Sequence, residues 1–221
     1  MTATSHLAAQ NGSLAQRERA LRAGARHVGW KIGHAIAEVE AVQGATPAVG
    51  WLTSATLLRD GMTYAAGHPA QLRAETELVV QLGTDVAAGV EPDGAAAAVA
   101  GIGVALELVD VARPAGGLAA IIAGNVFHRA AVLGPCTGDP DATVGDAVLF
   151  VGDRRHAADE PPPDVGALLA QLAAALADVG QRLRAGDRVL TGSMVHVPVA
   201  IGDRVAAEIA GLGRVGAVIG R

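Results

Sequence analysis

The 221-residue sequence contains very little cysteine, few aromatic residues and almost no lysine. Its one cysteine, Cys136, excludes a disulfide framework and a cysteine-based metal site. Aromatic residues make up 2% of the chain, so the core must be built mainly from Ala, Val, Leu and Ile. Lysine occurs once, at position 31, although the chain has 17 basic residues in all, and the others are arginine. This single lysine is therefore a candidate for a role that arginine cannot fill.

Charge and hydropathy exclude several further classes of protein. The net charge of −5 and the lack of a basic stripe argue against nucleic-acid binding, and so does the scarcity of aromatic side chains on which bases could stack. Apolar runs are interrupted before they reach membrane-spanning length, and the first residues lack the pattern of a signal peptide. We therefore expect a cytoplasmic protein with neither a nucleic-acid nor a membrane partner.

The apolar pattern predicts a β-rich α+β domain that follows a short helical segment. Residues 1–28 are interpreted as this segment, with a helix over residues 13–21 that Ser13 caps and with frayed residues before it. Residues 29–221 are interpreted as the main domain. Residues 41–61 are rich in Gly, Pro, Thr and Ser, which is typical of loops and turns.

Within the main domain, capping residues predict two helices and alternating patterns predict a series of strands. Asp93 precedes a run of alanines, and Asp164 precedes leucines with a period of 3.6 residues. The predicted strands are short and are separated mostly by turns that contain glycine. They cover residues 29–33, 72–82, 104–109, 126–133, 147–151, 188–191, 195–199, 204–209 and 215–219.

Three glutamates form the first candidate site. Glu75 and Glu77 are two residues apart in a predicted strand, so their side chains point to the same face of the sheet. Glu107 lies in an apolar strand, where an unpaired carboxylate is costly to bury. Three carboxylates on two strands are typical of a site for a hard cation such as Mg²⁺ or Mn²⁺. A solvated strand face is the alternative for Glu75 and Glu77.

A lysine and a Gly-Ser turn are two further candidates. Lys31 lies between Trp30 and Ile32 in an apolar segment bounded by glycines, which favours a chemical role, although its side chain could also reach solvent from an edge strand. Gly192 and Ser193 follow a predicted buried strand. Such a turn can present a backbone N–H and a hydroxyl group to an anionic ligand, and a plain turn is the alternative.

Six short motifs occur in a specific order along the chain. They are Gly29-x-Lys31-Ile32-Gly33, Pro47-x-x-Gly50-x-Leu52, Glu75-x-Glu77, Ala105-x-Glu107-x-x-Asp110, Leu183-x-Ala185-Gly186-Asp187 and Leu190-Thr191-Gly192-Ser193. This ordered set resembles the 2-keto-4-pentenoate hydratase and 4-oxalocrotonate decarboxylase family, within the fumarylacetoacetate hydrolase superfamily. The resemblance extends over nearly the whole chain, from about Gly29 to Ile219.

The resemblance implies a mixed β-sandwich or roll for residues 29–221, which would be the catalytic domain. It also implies a Mg²⁺ or Mn²⁺ cofactor held by Glu75, Glu77 and Glu107. The implied substrate is a small 2-oxo or 2-hydroxydienoic acid that chelates the metal through its carboxylate and its 2-oxygen.

The resemblance further assigns roles to residues around the metal. Lys31 would bind substrate and add positive charge or a proton donor beside a developing enolate. Ser193, with Gly192, would contact a substrate oxygen. We expect a homo-oligomer, which could also associate with a related pathway enzyme.

The chain departs from the family pattern at three places. Ala48 and Gly124 stand where many hydratases have an aspartate, and His34 begins the segment that is usually Leu-Thr-Ser. His34 is a candidate base because a neutral imidazole titrates in the right range, with a plain exposed histidine as the alternative. A metal-dependent hydratase is the leading expectation. The alternatives are an oxalocrotonate-type decarboxylase and a non-catalytic partner subunit.

Overall fold

The computed structural model describes residues 3–33, 47–69, 71–112, 114–137, 139, 144–158 and 162–221. The helices in these residues are α1 (Ala3–Arg22), α2 (Pro92–Ala96), α3 (Gly117–Ala123) and α4 (Val165–Ala177). The strands are β1 (His27–Gly33), β2 (Ala48–Thr53), β3 (Leu57–Leu58), β4 (Thr63–Ala65), β5 (Leu72–Leu82), β6 (Val99–Asp110), β7 (His128–Leu133), β8 (Ala147–Val151), β9 (Arg154–Ala157), β10 (Arg188–Pro198), β11 (Arg204–Ile209) and β12 (Gly213–Gly220).

The strands in the described part of the chain form two sheets. The larger sheet has the order β2-β1-β10-β5-β6-β7-β3, and the smaller one has the order β4-β12-β11-β8-β9. Strand β5 lies at the centre of the larger sheet and is antiparallel to both of its neighbours, β6 and β10. The predicted α+β fold with two sheets is thereby confirmed. None of the helices within the described ranges is long and apolar enough to span a membrane.

The two faces of the larger sheet differ in what they carry. One face packs against the smaller sheet and α4, and Thr76 of β5 donates a hydrogen bond across this interface to the carbonyl of Val148, at 3.0 Å. Because side chains alternate along a strand, the neighbours of Thr76 point to the opposite face. That second face carries Glu75 and Glu77 beside a small apolar cluster, whose buried members are Leu52, Val79, Ala105, Ala131 and Leu190.

The N-terminal part of the chain differs from its prediction. Helix α1 begins at Ala3, and Ser13 lies inside it, fully buried, where its backbone and side-chain oxygens both accept from the Trp51 indole at 3.1 Å. The predicted cap at Ser13 and the frayed residues before it are therefore wrong. The helix is stabilised by packing against β2 and α3, which local sequence signals do not reveal.

Three further boundaries depart from the sequence patterns. Residues 48–53, interpreted as loop, form the fully buried strand β2. Strand β6 begins at Val99, five residues before the predicted strand over residues 104–109. Glycine is required at position 103, because a Cβ there would lie 2.4 Å from the carbonyl oxygen of Pro135. Residues 188–198 form one continuous strand with two irregularities, not two strands.

Helix capping provides a test of the fold. Asp164 caps α4 as predicted, since its carboxylate accepts from the Ala167 N–H at 2.9 Å, whereas Asp93 lies in the first turn of α2 and makes no side-chain cap hydrogen bond.

We expect Asp164→Ala to lower the free energy of unfolding by about 1 kcal/mol, and Asp93→Ala by about 0.3 kcal/mol. Urea unfolding of both variants measures this, and equal losses would contradict it.

Candidate metal centre

Three carboxylates lie together on the second face of the larger sheet. Glu75 and Glu77 project from β5, and Glu107 lies directly opposite Glu75 on β6. One oxygen from each carboxylate lies within 4.8 Å of the other two. Glu75 is 9% exposed, Glu77 is 1% exposed and Glu107 is fully buried. The solvated-face alternative is therefore wrong, and the three carboxylates form a buried cluster.

Lys31 reaches this cluster from β1. Its ammonium donates to Oε1 of Glu107 at 2.5 Å and to the carbonyl of Val126 at 3.3 Å, and the residue is 4% exposed. Gly50 of β2 pairs with Lys31, and a Cβ at position 50 would lie 2.5 Å from the lysine Cγ. The glycine therefore leaves the space that the lysine stem occupies, and the lysine points into the site, not to solvent.

Burial and the neighbouring charges shift the pKa values of Glu77, Glu107 and Lys31. Burial, followed by the negative charges of Glu107 and Glu75, raises the pKa of Glu77 well above its ordinary value. Burial would also raise the pKa of Glu107, but Lys31 and a hydrogen bond from His128 lower it to about 2. Burial would lower the pKa of Lys31, but the carboxylates, Glu107 foremost, outweigh it and raise that pKa. Lys31 supplies one positive charge against three carboxylates.

Protein donors hold one oxygen of each carboxylate. Oε1 of Glu107 accepts from Lys31 and from Nδ1 of His128, the latter at 2.6 Å. Oε1 of Glu75 accepts from Nδ1 of His196 at 2.5 Å. Oε2 of Glu77 accepts from the Gly192 N–H at 2.9 Å.

The remaining oxygen of Glu107, Oε2, is buried and has no hydrogen-bond partner in the described part of the chain. An unsatisfied buried carboxylate oxygen is costly unless a cation binds it. Carboxylate oxygens are the ligands that Mg²⁺ and Mn²⁺ prefer. The residues present therefore fit a divalent cation.

His128 and His196 reach the cluster because their strands are irregular. Leu108 pairs with Ala130 and Val109 with His128, so Arg129 is an extra residue in β7 and the side-chain alternation shifts by one. Strand β10 is irregular on both sides of Ser193 in its pairing with β5. Neither histidine is among the site residues predicted from the sequence, because a shift in alternation leaves no clear signal in a single sequence.

The other predicted site residues are placed as follows. Ser193 is exposed and pairs in register with Glu77, and its hydroxyl donates to the carbonyl of Val195 at 3.0 Å. Gly192 touches the cluster through its backbone N–H, as described above. His34 lies outside the described residues. Ala48 is buried at the start of β2.

A strained turn borders the site. Asn125, Val126 and Phe127 have φ angles of 62°, 51° and 64°, in the left-handed region that residues other than glycine rarely adopt. The Asn125 side chain accepts from the N–H of Trp51 at 2.8 Å and donates to its carbonyl at 3.0 Å. This turn directs the Val126 carbonyl toward Lys31 and leads into His128.

Sequence comparison identifies the family. Residues 17–219 match the family described as fumarylacetoacetate (FAA) hydrolase C-terminal. The chain belongs to this family. The predicted family relationship is thus confirmed over most of the chain. None of the curated proteins matches the sequence.

Several solved structures have the same fold as this chain. The 4-oxalocrotonate decarboxylase from Pseudomonas putida G7, complexed with magnesium and adipate, is 23% identical with a TM-score of 0.84 over 96% of this chain and 84% of that chain. The fumarylpyruvate hydrolase from Pseudomonas aeruginosa, with Mn²⁺ and pyruvate, is 20% identical with a TM-score of 0.60 over 89% and 90%. The 2-hydroxyhepta-2,4-diene-1,7-dioate isomerase from Mycobacterium marinum is 17% identical with a TM-score of 0.64 over 89% and 75%.

The raised pKa of Glu77 predicts an unusual pH dependence of stability. In EDTA, the folded protein keeps the Glu77 proton at pH values at which the unfolded chain has lost it. The free energy of unfolding should therefore fall as the pH rises above the unfolded value of about 4.5 and through the folded pKa. Glu77→Gln should remove this fall, whereas Glu91→Gln, at an exposed position, should retain it. Urea unfolding across this pH range measures the slopes, and the same slope in Glu77→Gln would contradict the assignment.

Proposed function

We propose that the chain is a divalent-metal-dependent lyase that acts on a small 2-oxo acid, with Mg²⁺ or Mn²⁺ held by Glu75, Glu77 and Glu107. The observation that carries this proposal is the buried carboxylate cluster, in which Glu107 Oε2 has no partner among the described residues. Structures with the same fold were solved with magnesium, calcium and Mn²⁺, which supports the choice of cation.

The site residues suit chemistry in which negative charge develops on a 2-oxo group. A bound divalent cation supplies a Lewis acid for that charge. Lys31 keeps its proton, because its pKa is raised, and its ammonium adds a fixed positive charge and a proton donor at the edge of the cluster. The exposed Ser193 hydroxyl is placed opposite Glu77, where it can contact a substrate oxygen.

Decarboxylation is the reaction that the described residues favour. In an oxalocrotonate-type diacid, the bond to the second carboxylate, which is linked to the 2-oxo group through a conjugated carbon chain, breaks and its electron pair moves toward the 2-oxo oxygen. CO₂ leaves, and a proton from water is added to carbon. No general base is needed for these steps. Ala48 and Gly124 replace the two aspartates of the family pattern, which removes carboxylates that could activate water.

Hydration is the second candidate, because it requires a group that takes a proton from water and the structure offers one. The His196 side chain is 36% exposed and contacts Glu75, so an imidazole lies at the edge of the cluster. A neutral imidazole has one ring nitrogen that can accept a proton. His34, the base suggested by the sequence, lies outside the described residues.

A comparison of two substrates tests the proposal. Purified protein with Mg²⁺ is given an oxalocrotonate-type diacid, with CO₂ release measured, and separately a 2-hydroxydienoate, with its ultraviolet absorbance followed. We expect CO₂ release, and we expect Glu75→Gln to abolish it because a metal ligand is lost. The exposed control Glu91→Gln should retain it.

The other outcomes separate the alternatives. Hydration without CO₂ would favour the hydratase reaction over the decarboxylase reaction. Neither reaction, together with no metal binding by calorimetry, would overturn the enzyme proposal in favour of a non-catalytic partner subunit.

The sole lysine gives an independent prediction. Lys31→Arg should fold but should lose about 100-fold or more in kcat, because a planar guanidinium cannot take the compact position of the ammonium beside Glu107. Arg19→Lys, an exposed exchange of the same pair of residue types on α1, serves as the control. Steady-state kinetics of both variants make the comparison, and normal turnover in Lys31→Arg would show that position 31 does not require lysine.

A further inference from the structure

Glu107 is the most enclosed carboxylate of the cluster, and its two oxygens have different surroundings. Oε1 accepts two hydrogen bonds, from the Lys31 ammonium and from Nδ1 of His128. Oε2 is buried and accepts none from the described residues. A carboxylate oxygen has about two lone-pair directions, so Oε1 is saturated by its two donors.

The His128 ring is held from both sides. Its side chain is 1% exposed, and its Nε2 lies 2.9 Å from the Thr56 hydroxyl, on the side opposite Glu107. A ring nitrogen 2.6 Å from a carboxylate oxygen must donate its proton, so Nδ1 carries hydrogen. Thr56 therefore fixes the angle at which His128 presents this donor.

The chain places His128 here by two departures from regular structure. The left-handed residues Asn125–Phe127 immediately precede it, and the extra residue Arg129 immediately follows it. Residues other than glycine are unfavourable in the left-handed region and persist only where the surroundings hold them. An apolar side chain could fill the same space without any hydrogen-bond partner, so filling space does not account for an imidazole with two polar contacts.

We propose that His128 is a positioning residue of the metal centre: together with Lys31 it saturates Oε1 of Glu107, so that Oε2 is the oxygen presented to the cation. This inference rests on the proposed function, since it requires a cation at the three glutamates. Without the His128 donor, Oε1 has a free lone-pair direction and the carboxylate can turn away from the orientation that presents Oε2. Donors that orient metal ligands in this way typically account for about 10- to 100-fold in metal affinity.

Two amide substitutions separate positioning from packing. His128→Asn can place its amide nitrogen where Nδ1 lies and still donate to Glu107, whereas His128→Gln extends its amide toward Thr56. We expect the Gln variant to bind Mn²⁺ about 10- to 100-fold more weakly than wild type and the Asn variant to stay within about threefold of it. Calorimetry gives the Mn²⁺ Kd of each protein, and thermal unfolding in EDTA shows that each is folded.

The outcomes of this experiment separate the role of His128 from the existence of the metal site. Equal weakening in both variants, or wild-type affinity in the Gln variant, would overturn the role of His128 and leave the metal site intact. A wild-type protein that binds no Mn²⁺ would overturn the proposed function and this inference together. If His128→Gln does not fold, Thr56→Val tests the same point through Nε2: weaker Mn²⁺ binding supports the proposal, and unchanged binding overturns it.

Discussion

Repulsion among three buried carboxylates is the constraint to which the rest of the site responds. Glu75, Glu77 and Glu107 lie within 4.8 Å of one another and are largely removed from water, so their charges need partners from the protein. Each carboxylate receives at least one: Glu75 accepts from a histidine, Glu77 from a backbone N–H, and Glu107 from the lysine and a second histidine. These donors offset part of the repulsion, and the remaining negative charge makes the cluster a site for a cation.

These donors reach the site because the backbone departs from regular structure at several places. A perfectly alternating sheet would turn His128 away from the carboxylates, and the extra residue in β7 turns it toward them. The irregularities of β10 bring the N–H of Gly192 to Glu77. The left-handed turn at Asn125–Phe127 brings the Val126 carbonyl to Lys31. The two packed sheets and their apolar core supply the stability that tolerates these departures.

Regular periodicity in the sequence allowed some of the site residues to be predicted, but not those that irregular strands bring to the site. Alternation alone placed Glu75 and Glu77 on one face, and the cost of burying a charge singled out Glu107 and Lys31. The histidines could not be predicted in the same way, because a bulge leaves no clear signal in a single sequence. The first part of helix α1 (residues 3–12) and strand β2 were not predicted for a different reason: α1 and β2 pack against each other, and this packing leaves no local signal in the sequence.

The close contact between Gly50 and Lys31 has a consequence for how the sequence can change over evolution. The stem of Lys31 occupies the volume that any side chain at position 50 would need. A larger residue at position 50 is therefore acceptable only in a chain that has already replaced the lysine by something shorter. Substitutions at positions 31 and 50 should therefore occur together among homologues, with glycine retained wherever the lysine is retained. A homologue with a larger residue at position 50 should therefore lack this lysine and also the chemistry proposed for the site.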